Sequence, residues 1–341
     1  MTNYPEDIAG VGDERLVGQT ALVTGSTSGI GRETALSLGR LGAHVIVHGR
    51  DEAAGREVVD AIDAGVNEGT ARFVSADFAD PDDVTALADA TRKAVGDDGL
   101  DLLINNAGGY FRNGELTDLG VEYTFHVNHL SPYQLTAELL DDLADNARII
   151  TTASEAHRGD QIDFAELRSV DDFSSWRAYQ RSKLANVQFA AELARRLSDD
   201  DRSITSNSFH PGAIPGSGFF RNLPGPLSGA AGLLGNLPFV TTPADGAATA
   251  MYLAVSDEGG DVSGRYFADR REKKPSIQAQ DPAAQRRLWE ESAVMLDIDE
   301  PLAAIDADAA GPSEVTDEES DEHGDEDAAG DATADTAADD D

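Results

Sequence analysis

Tyr179 and Lys183 stand four residues apart in a segment of helical apolar spacing, so their side chains share one helix face. A phenol with a pKa near 10 is a poor proton donor at neutral pH. An ammonium about 4 Å away is worth roughly 4 kcal/mol at an effective dielectric of 20, enough to lower the phenol by up to ~3 units. The pair would then be an acid-base catalyst poised near working pH. A surface pair at i and i+4 is the plain alternative. Against it, only four of the 26 basic residues are Lys, and one of them stands here. A second stretch, Thr24-Gly25-Ser26-Thr27-Ser28-Gly29-Ile30-Gly31, could hold phosphate. Gly25 permits a tight turn with positive φ, and Gly29 and Gly31 lack the Cβ that would keep a pyrophosphate off the backbone. Free N–H groups at the start of the next helix would hold the negative charge. The spacing is Gly-x-x-x-Gly-x-Gly with no P-loop Lys, and a strand-to-helix turn with glycines for geometry alone is the alternative.

These residues need a frame, and the chain alternates strand and helix patterns to make one. Strands are expected at Thr20–Thr24, Ala43–Val47, Arg72–Ala76, Leu100–Ile104, Ala147–Thr152, Ser203–Phe209 and Arg265–Phe267. Helices are expected at Ile30–Leu41, Glu52–Ala64, Asp80–Val95, from after Gly108 to about Leu143, and at Trp176–Leu197, Ala244–Val255 and Pro282–Leu296. The pattern implies an α/β fold, a doubly wound parallel sheet of Rossmann type, with ligands at the carboxyl ends of the strands. The domain is expected over residues 15–300, between an acidic leader, residues 1–14, and a disordered acidic tail, residues 301–341. The Gly-, Pro-, Leu- and Phe-rich run from Ala213 to Thr242 is long for a connection, as functional loops are, and within it the apolar stretch Leu227 to Val240 reads as a substrate lid, with contact to a membrane as the alternative.

The net charge is −38. Sixteen acids and no Lys or Arg lie between Asp306 and Asp341, so the preceding residues carry −22 and the acidity extends over the folded part. An Asp-rich, Lys-poor surface points to a protein of a salt-loving organism, since such charge is tolerated when screened. It argues against nucleic acid and anionic membranes as partners. The absence of cysteine excludes disulfides and thiolate chemistry. No apolar run approaches the ~18 residues of a membrane span, so a cytoplasmic protein without stable membrane insertion is expected. His126 and His129 lie at i and i+3 with no evident third ligand, and no metal is expected.

Thr24 to Gly31, Asn105 to Gly108, Ser154 and Tyr179-x-x-x-Lys183 together resemble the short-chain dehydrogenase/reductase superfamily. Phe125 to Leu130, Gln161 to Phe164, Tyr179 to Asn186, His210-Pro211-Gly212, Gly264 to Phe267 and Leu288 to Ser292 are similar to its retinol dehydrogenase/WW-domain-oxidoreductase-like branch, as is the 25-residue gap from Ser154 to Tyr179. The resemblance implies that Tyr179 is the general acid in reduction and the base in oxidation. It implies that Lys183 lowers the Tyr179 pKa and holds the nicotinamide ribose, that Ser154 hydrogen-bonds the substrate oxygen, and that Asn128 holds a relay water by disturbing its helix. Asn106, Ala107 and Gly108 would line the cofactor path, Asp77 and Phe78 the adenine side, and Pro211 and Gly212 the nicotinamide. Ser217 stands near where members often carry a cofactor-holding Thr.

Folds that bind NAD place an acidic residue at the end of the second strand. Here that strand ends His48-Gly49-Arg50-Asp51, with Gly49 where the acid would align. Arg50 follows, a planar and permanently charged fork suited to a 2′-phosphate; its alternative is a surface pair with Asp51 or Glu52. NADP(H) is therefore favoured, with NAD(H) as the alternative cofactor. The expected function is hydride transfer between NADP(H) and a lipophilic alcohol or carbonyl, in a protein that is compatible with homo-oligomers. A catalytically silent nucleotide sensor or scaffold on the same fold is the competing class.

Overall fold

The computed structural model describes residues 4–65, 67–200, 202–212 and 242–303. The expected lid, Ser217 and nearly all of the expected acidic tail lie outside the described residues.

The apolar run after Gln19 becomes strand β1 (Thr20–Val23), and the glycine stretch turns it into helix α2 (Gly29–Arg40). Alternation continues through β2 (His44–Gly49), α3 (Glu52–Asp63), β3 (Thr70–Ser75), α4 (Pro81–Val95) and β4 (Leu100–Asn105). Caps explain several starts. Asp51 Oδ1 accepts from Ala54 N at the head of α3, and Asp80 accepts from Asp82 N beside Pro81 at the head of α4. After β4 the chain does not enter a helix directly, as the pattern suggested. The glycine-rich run to Val121 is irregular, and helix begins only at α5 (Tyr123–Phe125). A π-helical turn, His126–Leu130, joins it to α6 (Ser131–Leu139). Pro132 favours that opening. It has no N–H and stands four residues after Asn128, so the α-helical bond to the Asn128 carbonyl cannot form.

Strand β5 (Leu143–Thr152) is longer than expected and meets β4 through a register shift between Leu100 and Leu102. Helix α7 (Ser175–Asp199) precedes β6 (Thr205–His210). Helices α8 (Pro243–Val255) and α9 (Asp257–Gly260), strands β7 (Tyr266–Ala268) and β8 (Arg271–Glu272), and helix α10 (Pro282–Leu296) follow. The sheet order is β3-β2-β1-β4-β5-β6-β7-β8, parallel except for β7 with β8. The order reverses between β1 and β4, which places a crevice at their carboxyl ends. One apolar layer packs Leu38, Val58, Ile62 and Met251 against β1, β2 and β4; the other joins Leu87, Tyr133, Phe189 and Trp289 on the opposite face.

Residues 4–14, expected as part of an acidic leader, pack onto the domain. Helix α1 (Pro5–Ala9) packs on α2 and α8, Glu6 is buried against Arg40 and Ser37, and Val11 joins the core. Pairing with a cation explains how an acidic segment folds inward: the Arg40 and Ser37 hydrogen bonds outweigh burial and hold the Glu6 pKa below its ordinary value.

Candidate active site

The glycine turn is built by buried hydroxyls. Thr24 Oγ1 accepts from the backbone N–H of Asn106 and of Ala107, both at 2.9 Å, so the ends of β1 and β4 are tied together. The Asn106 carboxamide donates to the carbonyls of Thr24 and Gly25. Gly29 has φ +58°, a conformation that side chains rarely adopt. Gly31 is required for packing instead, because a Cβ there would lie 2.4 Å from both Asn106 Nδ2 and the Gly25 carbonyl oxygen. Ser28 precedes α2 in extended conformation and its side chain makes no capping bond. The first N–H groups of α2 therefore face a cradle for an anion.

That cradle opens into a cavity of about 700 Å³, a size suited to a cofactor with substrate. Of the residues expected from sequence, Gly25, Thr27, Ser28, Gly29, Ile30, Gly31, Arg50, Asp77 and Phe78 line one half of it, with Asn106, Ala107 and Gly108 between the halves. Ser154, Tyr179, Lys183, Pro211 and Gly212 line the other. Asn128 alone does not reach it. It is fully buried and acts through neighbours: Oδ1 accepts from Gly109 N at 2.8 Å, and Nδ2 donates to Gly109 O and Ser182 Oγ, each at 2.9 Å.

Ser154 heads a 3₁₀ turn, accepting from Ala156 N at 3.2 Å, and is hydrogen-bonded to Tyr179. His157 Nδ1 and the Ser154 carbonyl lie 2.6 Å apart, while His157 Nε2 accepts from Ser276 N; the bond to Ser276 identifies Nδ1 as the protonated nitrogen. Two rings that sequence reasoning missed flank the phenol. Tyr110 meets Tyr179 edge-on at 5.8 Å between centroids, and Trp176 stacks on it at 6.3 Å. Tyr110 lies in an irregular segment, and Trp176 stands exposed in the first turn of α7, off its buried face.

The electrostatics differ from the sequence expectation. Burial raises the Tyr179 pKa above its ordinary value, with the Ser154 hydrogen bond pulling the other way. Lys183 does not override this. Its ammonium is 5.8 Å from the Tyr179 ring centroid and donates to the Thr152 carbonyl at 3.0 Å. Burial itself lowers Lys183 to about 8. At neutral pH the site thus holds a protonated phenol beside a lysine that is still charged.

Arg50 pairs with neither Asp51 nor Glu52. Asp51 caps α3, Glu52 binds Arg56, and Arg50 Nη1 lies 3.4 Å from Asp77 Oδ2 and also hydrogen-bonds Tyr123. Asp77 serves in a turn as well, accepting from Ala79 N. His48, a further residue missed from sequence, lines the cavity between these groups. Among the described residues no cluster of three metal-ligating side chains occurs, and no helix is long and apolar enough to cross a membrane.

The arrangement has counterparts among known proteins. A family model described as short chain dehydrogenase matches residues 19–223. Retinol dehydrogenase 14 of Mus musculus is 39% identical over 305 residues, covering 85% of this chain and 89% of that protein. Polyprenol dehydrogenase of Mus musculus is 38% identical over 280 residues, covering 80% and 82%. The crystal structure of the angucycline C-6 ketoreductase LanV with bound NADP superposes with a TM-score of 0.61 and 29% identity, covering 75% of this chain and 95% of that one.

Proposed function

From the premise that this chain belongs to the short chain dehydrogenase family, we propose that it transfers a hydride between NADP(H) and a lipophilic alcohol or carbonyl, with Tyr179 as the acid-base group. One observation carries the reading: the hydrogen-bonded Tyr179–Ser154 pair and Lys183 line the same cavity as the uncapped start of α2. The glycine turn and α2 would hold the pyrophosphate, and Lys183 the nicotinamide ribose. When bound, the nicotinamide supplies or accepts the hydride. In reduction, Ser154 hydrogen-bonds the carbonyl oxygen and Tyr179 gives it a proton as it becomes an alkoxide. The Lys183 ammonium supports the phenolate left behind. Asn128 fixes Gly109 and Ser182, so its part is to hold the floor of the site.

The preference for NADP(H) rests on charge and space at the end of β2. Gly49 stands where the acid that would repel a 2′-phosphate would align, and a Cβ there would lie 2.6 Å from Thr27 Cγ2, so Thr27 would have to shift to admit one. Arg50 stands beside it, more than half exposed, with a fork that fits phosphate. The retinol and polyprenol dehydrogenases that this chain resembles support a lipophilic substrate. The charge of −38 supports adaptation to high salt, and assays belong in molar KCl.

The test compares kcat/KM for NADPH and NADH across a panel of aldehydes and ketones, in the native enzyme and in Arg50→Ala. The native enzyme is expected to prefer NADPH, and Arg50→Ala to lose about 10–100-fold with NADPH, the cost of one charge-assisted contact, with little change for NADH. A native preference for NADH would refute the cofactor assignment.

A further inference from the structure

His48 is the last residue but one of β2 and is nearly buried, 2% exposed. Its ring does more than fill the core. The Gly25 N–H donates to Nδ1 at 3.2 Å, so Nδ1 is the unprotonated nitrogen and Nε2 carries the hydrogen. Nε2 in turn donates to the Ala76 carbonyl at 3.2 Å. The ring stacks on Phe78 with centroids 4.7 Å apart and planes 24° from parallel. Its backbone is pinned as well: Ser26 N donates to the His48 carbonyl at 2.8 Å, and His48 N donates to Ser26 Oγ at 2.9 Å. One imidazole thus spans the glycine turn on one side and the end of β3 on the other.

We propose that His48 is a positioning residue that sets the separation between the phosphate-holding turn and the adenine-side wall of the cavity. The proposal rests on the cofactor reading above. The Gly25 N–H is part-buried and donates to His48 Nδ1. Without that acceptor the donor is left unmet and the turn shifts to find a partner. Burial holds the His48 pKa at about 4, so the acceptor is present at every working pH.

Two polar substitutions separate the two ring nitrogens. His48→Asn places a carboxamide oxygen near Nδ1 and keeps the acceptor for Gly25. His48→Gln reaches toward Nε2 and Ala76 and leaves Gly25 unmet. Binding of NADPH to the full chain in molar KCl is followed by its fluorescence, and amide hydrogen exchange at Gly25 is measured without cofactor. His48→Asn is expected within about twofold of native in affinity. His48→Gln is expected to bind about tenfold more weakly, with faster exchange at Gly25 but a kcat within about twofold of native at saturating NADPH. Equal affinity and equal exchange in the two variants overturns the proposal, as does a fall in kcat with affinity unchanged. Native protein that binds no NADPH, while exchange at Gly25 still separates the variants, refutes the cofactor reading and leaves the clamp on the turn standing.

Discussion

Tyr179→Phe is expected to lower kcat for carbonyl reduction by ~10²–10⁴-fold, the usual worth of a positioned general acid, while NADPH affinity stays within about twofold of native. The phenol hydroxyl is hydrogen-bonded to Ser154 and kept protonated by burial, and Tyr179 lines the cavity. Phe keeps the ring between Tyr110 and Trp176 and removes only the proton donor. The phosphate cradle and the Arg50 end of the cavity do not involve this residue. Rates and an NADPH fluorescence titration on the same preparations check both halves; turnover within tenfold of native would remove Tyr179 from the mechanism. The pH dependence has a definite sign. Reduction needs the phenol protonated and Lys183 charged, and Lys183 titrates at about 8 in the free enzyme. The value of kcat/KM for reduction should therefore fall as pH rises through about 8, since kcat/KM reports groups of the free enzyme.

Lys183→Met is expected to give an inactive protein that is more stable than native. Lys183 is 4% exposed, and burial holds it at about 8 against 10.5 for the free side chain. Between those values the unfolded chain binds more protons than the folded one, so stability rises with pH across that window and the full cost is felt below it. A depression of that size corresponds to roughly 3 kcal/mol at neutral pH. Met removes the buried charge at similar length. The Thr152 carbonyl loses one donor but keeps Asn186 Nδ2 at 3.0 Å, at a cost of ~1 kcal/mol. A net gain of about 2 kcal/mol at pH 7 is expected, by thermal or denaturant unfolding without cofactor. The rise in stability between pH 8 and 10.5 should shrink in the variant. A loss of stability at pH 7 would mean that Lys183 is held in the fold by attraction rather than tolerated for function.

The parts of the site that were legible in the sequence are those carried by local spacing. Tyr179 and Lys183 are one helical turn apart, and Gly25, Gly29 and Gly31 sit at the passage from strand to helix, so a short window of sequence contains each motif. His48 was not legible because its meaning lies in Gly25 and Ala76, which reach it from β1 and β3. In sequence it is one polar residue at the end of an apolar strand. The opening of the helix at Asn128 did carry a signal, the missing N–H of Pro132, which periodicity alone passes over. The direction of the Tyr179 pKa is not legible in sequence, because the spacing to Lys183 carries the Coulomb attraction while burial, which dominates, is a property of the assembled cavity. The packing of residues 4–14 is not legible for a similar reason, since the partner of Glu6 is Arg40, thirty-four positions away. The fold itself was legible because parallel strands buried on both faces read as apolar runs between amphipathic helices.

The central claim is that this chain moves a hydride rather than merely holding a nucleotide. Its most direct test follows the absorbance of reduced nicotinamide in molar KCl, with purified protein, NADPH and a panel of lipophilic aldehydes and ketones. The account predicts NADPH consumption that requires both protein and carbonyl, forms one alcohol per NADPH consumed, and all but disappears in Tyr179→Phe. Native protein that binds NADPH yet consumes none across the panel, in either direction of the reaction, would contradict it and point to a silent nucleotide-binding protein on the same fold.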